Sequence, residues 1–463
     1  MTDLPRSDPL AAVSPLDGRY AGYTEPLVPY ASESALMRAR VRVEVEYLLA
    51  LADIDATPIE VTAPETLRDS YNSFDAADAR LIKRLETEGA AGYDATNHDV
   101  KAVEYFLRTE TDESLHPWIH FGLTSEDVNN LAHRLLLKGA LEEVLVPALV
   151  GVRRELTGLA REHRETPMLA RTHGQPATPT TFGKEMAVSA ARLGRAIGEV
   201  REATTDLSGK LAGASGTYAA HVAAYPEVDW PAFAREFVTG LGLEHTPLAT
   251  QVNPCDDLAA LFDAVRGVNN VLLDLDRDMW LYVSDRYLGQ RTVEGETGSS
   301  TMPHKVNPID FENGEGNLSK ANNDLTFLAD YVTTSRLQRD LSDSTVKRNM
   351  GAALAHCLLA YRKTEAGLGK VVPNEAVMSE ELTATPEVIG EAVQTILRRE
   401  GDTTAYERVK DLTRGQRVTI EDFRALFDDL DVEESVREEL RALTPAGYTG
   451  IATDLTDGVV EDD

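Results

Sequence analysis

Eleven residues beginning at Gly298, with the sequence GSSTMPHKVNP, form the densest group of chemically useful side chains in the chain. The useful groups are the hydroxyls of Ser299 and Ser300, the ammonium of Lys305 and the amide of Asn307. Two prolines and nearby glycines exclude a continuous helix here and predict an irregular loop over residues 295–308. Because loops held by a rigid scaffold often carry binding and catalytic groups, this segment is a candidate active-site loop.

Basic residues in polar stretches of this otherwise acidic chain form a second candidate group. They are Arg19, Lys101, Lys305, Arg339, Lys347 and Arg348. Any one of them alone is more often a solvated surface residue. Together they indicate a pocket for a polyanion, such as a ligand with a phosphate and carboxylates.

The loop resembles the signature GSSxMPxKxNP of the fumarase, aspartase and argininosuccinate lyase superfamily, and every fixed position matches. Other segments resemble motifs of the adenylosuccinate lyase family within that superfamily. They are SPLDGRY (14–20), TNHDVKAVEYFL (96–107), TSEDVNN (124–130), RTHGQPATPTTFGKEM (171–186) and RDLSDSTVKRN (339–349). The resemblance therefore extends along nearly the whole chain.

The resemblance implies an enzyme of purine (AMP and IMP) biosynthesis that eliminates fumarate from adenylosuccinate and from succinyl-aminoimidazole carboxamide ribotide (SAICAR), giving AMP and AICAR. It implies that Ser299 is the general base and His173 the general acid. A serine must first lose its proton, helped by backbone N–H groups and by Lys305. Imidazole suits the acid because its ordinary pKa of about 6.5 lies near working pH. His98 resembles a second histidine that orients the acid.

By the same matching, a larger set of residues contacts the nucleotide or the succinyl group. They are Arg19, Tyr20, Asn97, His98, Asp99, Lys101, Thr124, Ser125, Gln251, Ser300, Lys305, Val306, Asn307, Asn313, Arg339, Ser344, Thr345, Val346, Lys347 and Arg348. Asp99 is expected to fix the tautomer of His98, as a carboxylate commonly does. A lone histidine is usually a hydrogen-bonded structural residue, and the motif around His173 argues against that reading.

Long helices must position these segments. Apolar residues recur every three and four positions over 141–159, 186–207 and 258–282, which is typical of a helical bundle. Pro147 predicts a kink or a break in the first of these helices. Runs with β-strand character are scarce, and residues 217–225 or 418–420 could supply only a short hairpin. The expected fold class is therefore all-α.

The sequence predicts three domains. An N-terminal helical domain covers residues 1–120, a central long-helix bundle with the signature loop covers 121–360, and a C-terminal helical domain with an acidic tail covers 361–463. Apolar stripes this long favour packing of bundles from several subunits. The resemblance implies a homotetramer whose active sites are shared between chains.

Composition limits the partners and the compartment. The 463 residues carry a formal net charge of -31, which opposes nucleic-acid binding. No apolar run approaches the roughly 18 residues needed to cross a bilayer, so no membrane association is expected. The N-terminus lacks the basic start and apolar run of a secretion signal. The two cysteines form no CxxC pair, which fits a reduced cytoplasm.

No cofactor or metal is expected from the sequence. His116 and His120 stand four apart, but Pro117 lies between them and no suitably spaced third ligand follows. The chain also lacks the glycine patterns that bind nucleoside triphosphates or dinucleotides.

Two alternatives remain open. Another lyase of the superfamily, such as argininosuccinate lyase or fumarase, shares the signature loop, although the flanking motifs argue against it. A non-catalytic structural relative would have no need for intact Ser299, His173 and Lys305.

The acidic, lysine-poor surface generates the first prediction. Only 11 of the 46 basic residues are lysines, and such a balance suggests a protein that works at high salt, where screening limits self-repulsion. Dialysis into low salt should lower the melting temperature and the activity, because the Debye length grows from about 10 Å at 0.1 M to about 30 Å at 0.01 M. Unchanged melting temperature and activity would remove the hypothesis.

Overall fold

The structure, a computed structural model, describes residues 8–291, 306–414 and 418–460. The chain is mostly helical with a few short strands, which confirms the expected all-α class. It forms two compact units. One unit comprises Met1–Leu149, Ala196–Asn270 and Gly316–Arg362, and the other comprises Val150–Arg195, Val271–Glu315 and Lys363–Asp463. The three-domain division stays a prediction.

The described α-helices are numbered in chain order. They are α1 (Ala21–Thr24), α2 (Val28–Ala31), α3 (Glu33–Ala52), α4 (Pro64–Asn72), α5 (Ala76–Thr87), α6 (Asp99–Glu110), α7 (Ser125–Ala140), α8 (Val146–Glu162), α9 (Phe182–Thr205), α10 (Ala219–Ala224), α11 (Trp230–Gly240), α12 (Asp256–Ser284), α13 (Ile309–Val332), α14 (Ser342–Lys347), α15 (Met350–Lys370), α16 (Glu375–Ala384), α17 (Gly390–Arg399), α18 (Ala405–Thr413), α19 (Ile420–Asp428), α20 (Glu434–Ala442) and α21 (Ala452–Val460). No helix in the described ranges is long and apolar enough to span a membrane.

In the described residues, six short strands form three pairs. They are β1 (Pro167–Thr172), β2 (Gln175–Thr181), β3 (Ser208–Gly209), β4 (Glu244–His245), β5 (Leu288–Gln290) and β6 (Val371–Pro373). The pairs β1–β2 and β5–β6 are antiparallel, and β3–β4 is parallel.

The three predicted apolar stripes lie on long helices. They fall on α8 with the turn before it, on α9 and on α12, and most of their residues are buried, including Leu156 on α8, Leu193 on α9, and Leu258 and Leu272 on α12. A five-residue π-helical turn, Leu141–Leu145, lies directly before Pro147. Such a turn is a common cause of a local kink, and a wider turn eases the clash between the proline ring and the preceding backbone.

The predicted sites for a hairpin were wrong. Residues 219–224 are helical, and α19 begins at Ile420 because the Thr419 side chain caps it together with Asp422. The main hairpin is instead β1–β2, which sequence analysis did not predict.

The start of α7 is held by a buried ion pair. Asp127 and Lys210 are fully buried, with 2.7 Å between Oδ1 and Nζ. The Asp127 carboxylate also accepts the N–H groups of Ala212 (3.0 Å) and Gly213 (3.2 Å). A buried charge is tolerated only when it is paired and hydrogen-bonded in this way. The contacts therefore fix the backbone near residue 212 against the first turn of α7.

A second ion pair links α3 to the turn that precedes α7. His120 has a left-handed backbone (φ 60°), and its Nδ1 lies 2.5 Å from Oε1 of Glu44, which is 1% exposed. The other oxygen of Glu44 is buried and has no hydrogen-bond partner among the described residues. Burial opposes protonation of the ring, but Glu44 raises the pKa of His120 to about 9.

Replacing His120 should therefore destabilise the protein in a pH-dependent way. His120→Asn keeps a residue that tolerates the left-handed backbone but leaves Glu44 without its cation, at a cost of about 3 kcal/mol in unfolding free energy. Because the folded pKa lies above the unfolded value of about 6.5, the contribution of His120 is complete below pH 6.5 and is lost as pH rises through about 9.

Denaturant unfolding at pH 6 and at pH 10 checks this, with the double variant His120→Asn/Glu44→Gln as the matched control. The control should recover stability at pH 6 because no buried charge is left unpaired. A stability loss that is the same at both pH values would contradict the assignment.

Candidate active site

His173 lies at the apex of the β1–β2 hairpin. His173 (φ 54°) and Gly174 (φ 73°) form the two-residue turn between the paired residues Thr172 and Gln175. Two positive φ angles match the turn type whose twist suits a tight hairpin. The apex is exposed, so the imidazole is presented on a rigid, outward-facing turn.

The end of β1 next to the turn is tied to other elements of the same compact unit. Arg171 forms an ion pair with Glu381 on α16, and its Nε lies 3.5 Å from Asp285. The Tyr287 hydroxyl also donates to Glu381. These contacts restrict the direction in which the apex points. The sequence signal for this hairpin was the pair His-Gly between stretches rich in threonine and proline.

His98 caps the N-terminus of α6. Its Nδ1 accepts the backbone N–H of Lys101 at 3.2 Å, so the proton of the neutral ring resides on Nε2. Asp99 does not fix this tautomer as expected, because its Oδ1 is 3.9 Å from Nδ1. The tautomer of His98 is therefore fixed by its hydrogen bond to the helix N-terminus and not by the predicted carboxylate. The Nε2–H group is directed away from the helix end.

Asp99 instead holds two arginines. Its Oδ2 lies 2.8 Å from Arg40 and 3.2 Å from Arg348, and its Oδ1 accepts the N–H of Val100. Burial alone would raise the pKa of Asp99, but Arg40 and the other donors bring it below the ordinary value. Asp99 is therefore ionised and orients Arg348, a predicted substrate ligand.

A second acidic residue, Glu126 on α7, connects further predicted ligands. It lies 3.3 Å from Lys347 and 3.9 Å from Arg339, and Arg339 donates to Gln251 at 3.2 Å. Lys347 also pairs with Asp343 at 2.8 Å. The structure thus brings Gln251, Arg339 and Lys347 into one network.

Lys347 and Val346 differ from the prediction of direct substrate contact, because both are buried. The side chain of Lys347 is 3% exposed, and its ammonium lies between Glu126 and Asp343. Although burial disfavours its charged form, neighbouring acidic groups raise the pKa of Lys347. Lys347 is therefore committed to neutralising Glu126 and Asp343 inside the protein rather than exposed to a ligand.

Some of the predicted ligands and their acidic partners line a small cavity between α3, α7 and α14. Its lining includes Arg40, Glu126, His133, Ser344 and Arg348. Burial and the nearby cations hold the pKa of His133 well below its ordinary value, so the ring is neutral. Sequence analysis missed Arg40 and His133, which lie in plain helical stretches, whereas Glu126 and Asp343 lay inside quoted motifs.

The remaining predicted ligands lie outside the ion-pair networks of Asp99 and Glu126 described above. Lys101 pairs with Glu104 at 2.6 Å, and the guanidinium of Arg19 lies 5.9 Å from the ring centre of Tyr20. Thr124 caps α7 and Ser125 begins it, both half-buried, while Asn97 has a left-handed backbone (φ 48°) and Thr345 is exposed.

Ser299, Ser300 and Lys305 lie outside the described residues. Beyond them, Val306 is exposed, Asn307 is half-buried, and Asn313 lies half-buried in the second turn of α13. Within the described ranges, no group of three or more His, Cys, Asp or Glu side chains is arranged to hold a metal ion.

Comparison with known families gives two matches. Residues 18–322 match a family described as lyase, and residues 335–449 match the adenylosuccinate lyase C-terminal family. The chain is 46% identical over 457 residues to an adenylosuccinate lyase of Haemophilus influenzae, covering 97% of this chain and 98% of the relative. It is 46% identical to the adenylosuccinate lyase of Escherichia coli K12 with the same coverage.

Solved structures share the fold at low sequence identity. A fumarate lyase from Mesorhizobium sp. BNC1 matches with a TM-score of 0.75 and 21% identity, covering 95% of this chain and 98% of that one. A beta-carboxy-cis,cis-muconate cycloisomerase from Acinetobacter calcoaceticus matches with a TM-score of 0.71 and 19% identity, with the same coverage. At these identities the likeness concerns the fold alone.

The two roles of His98, as a helix cap and as an active-site group, should be separable. His98→Asn keeps a good cap and His98→Ala removes it, so the alanine variant should unfold with about 1 kcal/mol less free energy than the asparagine variant. Both should lose most of the activity, because both lack the imidazole. Equal stability of the two variants would contradict the capping role, and wild-type turnover of His98→Asn would contradict the role in the site.

Proposed function

The chain belongs to the adenylosuccinate lyase family, and on this premise we propose that it eliminates fumarate from adenylosuccinate and SAICAR with Ser299 as general base and His173 as general acid. The observation that carries the activity is the match to adenylosuccinate lyases over nearly the full length of both chains. The assignment of the base rests on the signature loop, and that of the acid on RTHGQPAT.

The chemistry requires a base, an acid and fixed donors. Removal of the proton beside a carboxylate builds charge on the carboxylate oxygens, and Lys305 is the proposed donor to them. The departing purine nitrogen needs a proton, which His173 supplies from its exposed position on the hairpin. His98 contributes Nε2–H as a donor, because its Nδ1 is occupied by the helix cap.

The ion-pair networks support binding of an anionic nucleotide. Arg348 is held by Asp99, and Arg339 is held by Gln251 and Glu126. Cations that are already oriented lose little conformational entropy when an anion binds. The proposed partners are therefore the two succinyl-purine nucleotides and fumarate, and no cofactor is required.

We further propose a cytoplasmic homotetramer with active sites shared between chains. His98 and His173 are both exposed in a single chain, whereas acid–base chemistry benefits from a site from which water is excluded. Large apolar side chains on the long helices are also exposed, including Leu281 (50%) and Phe327 (50%). Burial of such residues against other subunits would remove apolar surface from water.

Another lyase of the superfamily is the second candidate, because the signature loop is common to its members. The solved structures resemble the chain in fold, which does not distinguish between their activities. The C-terminal family match favours adenylosuccinate lyase.

Subunit complementation tests the residues and the shared site together. Ser299→Ala should lose turnover but still bind nucleotide, and His173→Gln should be slower by about a hundredfold or more, the scale of general acid catalysis. When the two inactive proteins exchange subunits, partial activity should return, because some sites then receive both intact residues from different chains.

Each inactive variant mixed with itself is the control for this experiment. Absence of recovery in demonstrably mixed tetramers would show that both residues serve one site from one chain. Near-normal turnover of Ser299→Ala would move the base to another residue, with Ser300 the first to test.

A further inference from the structure

The strand that leads into the signature loop is paired with the segment that follows α15. β5 and β6 are antiparallel, with Leu288 opposite Pro373 and Gln290 opposite Val371. The ladder continues by one bond, because the N–H of Arg291 donates to the carbonyl oxygen of Lys370 at 2.8 Å. Arg291 is the last described residue before the loop.

The helix that leaves the loop is anchored to the same part of α15. Asp310, in the first turn of α13, is buried, with Oδ2 2.8 Å from Nζ of Lys370 and Oδ1 3.0 Å from Nζ of Lys363. Burial alone would raise the pKa of Asp310, but hydrogen bonds from the two lysines lower it, so the carboxylate is ionised.

Apolar packing supports this anchor. Phe311 is buried and lies over Gly367, where an added Cβ would come within 2.8 Å of the ring. Gly367 lies between Lys363 and Lys370 on one face of α15, since positions separated by three, four or seven share a helical face. One helical face therefore receives both the charged and the aromatic residue with which α13 begins.

Lys370 is the residue that connects the two anchors. Its carbonyl oxygen accepts from Arg291, on the entering side, and its ammonium donates to Asp310, on the leaving side. A weaker bond from Nε2 of Gln290 to the carbonyl of Val306, 3.4 Å long, also joins the two sides.

We propose that Lys370 is a positioning residue for the elimination: with Asp310 it holds the two ends of the signature segment at a fixed separation, on which the placement of the base depends. This inference rests on the proposed function of the segment. Misplacement of a reacting group by about 1 Å can cost about a hundredfold in rate, so a loosened anchor should slow proton abstraction.

Lys370→Gln tests the proposal in the assembled enzyme. With adenylosuccinate as substrate, kcat should fall about 10- to 100-fold while KM changes less than about threefold. Lys370→Arg, which keeps the charge and the donors, should restore kcat to within about threefold of the wild type. Lys83→Gln is the matched control, because Lys83 pairs with Glu33 and Glu86 on a half-exposed surface and its loss should leave kcat unchanged.

An isotope effect separates positioning from a loss of folded protein. With adenylosuccinate deuterated at the succinyl carbon that loses its proton, Lys370→Gln should show a larger isotope effect on kcat than the wild type, because slowed proton abstraction then limits more of each turnover. Unfolding of part of the sample lowers the rate but leaves the isotope effect per active molecule unchanged. An isotope effect no larger than that of the wild type, at a reduced kcat, would overturn the proposal.

Asp310→Asn is a second test of the proposal, because it weakens the same ion pair while retaining both lysines. It can be used if Lys370→Gln does not assemble. The double variant should be no more than about twofold slower than the slower single variant, because both substitutions disrupt the same pair of Lys370 and Asp310. Multiplicative losses in the double variant, or a kcat of Lys370→Gln within twofold of the wild type, would overturn the inference alone. A wild-type protein without turnover of adenylosuccinate would instead overturn the proposed function.

Discussion

Glu126 and Asp99 hold basic side chains in fixed positions, and the proposed recognition of an anionic substrate depends on such pairs. With a net charge of -31, the field of the whole protein repels anions. A binding site must therefore create a local region of oriented cations. Asp99 fixes Arg348, and Glu126 lies against both Arg339 and Lys347. The cost of burying these carboxylates is offset by their charged partners.

Three of the proposed site residues occupy the ends of secondary-structure elements. His98 caps a helix, Thr124 caps another, and His173 lies at a two-residue hairpin turn. At the end of a helix or hairpin, the backbone is fixed but the side chain can still face outward. A residue in the middle of a buried helix instead packs its side chain against neighbouring elements. On the two sides of the signature loop, β5 pairs with β6, which directly follows α15, and Asp310 at the start of α13 forms an ion pair with Lys370 of α15.

Motifs and periodicity predicted much of this arrangement from the sequence. The apolar stripes predicted α8, α9 and α12, and the family motifs drew attention to His98 and His173, whereas most of the predicted loop lies outside the described residues. The sequence did not predict that the Nδ1 of His98 accepts a backbone N–H. Both the N–H of Lys101 and the carboxylate of Asp99 are near in sequence, and only the folded geometry shows which of them reaches Nδ1. Burial of Lys347 and the pairing of Arg40 with Asp99 were likewise missed, since each depends on residues distant in the chain.

The specificity of the site for a succinyl-purine nucleotide is the central claim, and a substrate comparison tests it most directly. Purified protein would be given adenylosuccinate, argininosuccinate and malate separately, with fumarate measured in each reaction. We expect fumarate and AMP in equal amounts from adenylosuccinate, and no turnover of the other two. Fumarate formed from argininosuccinate or malate, with adenylosuccinate left intact, would contradict the account and assign the chain to another lyase of the superfamily.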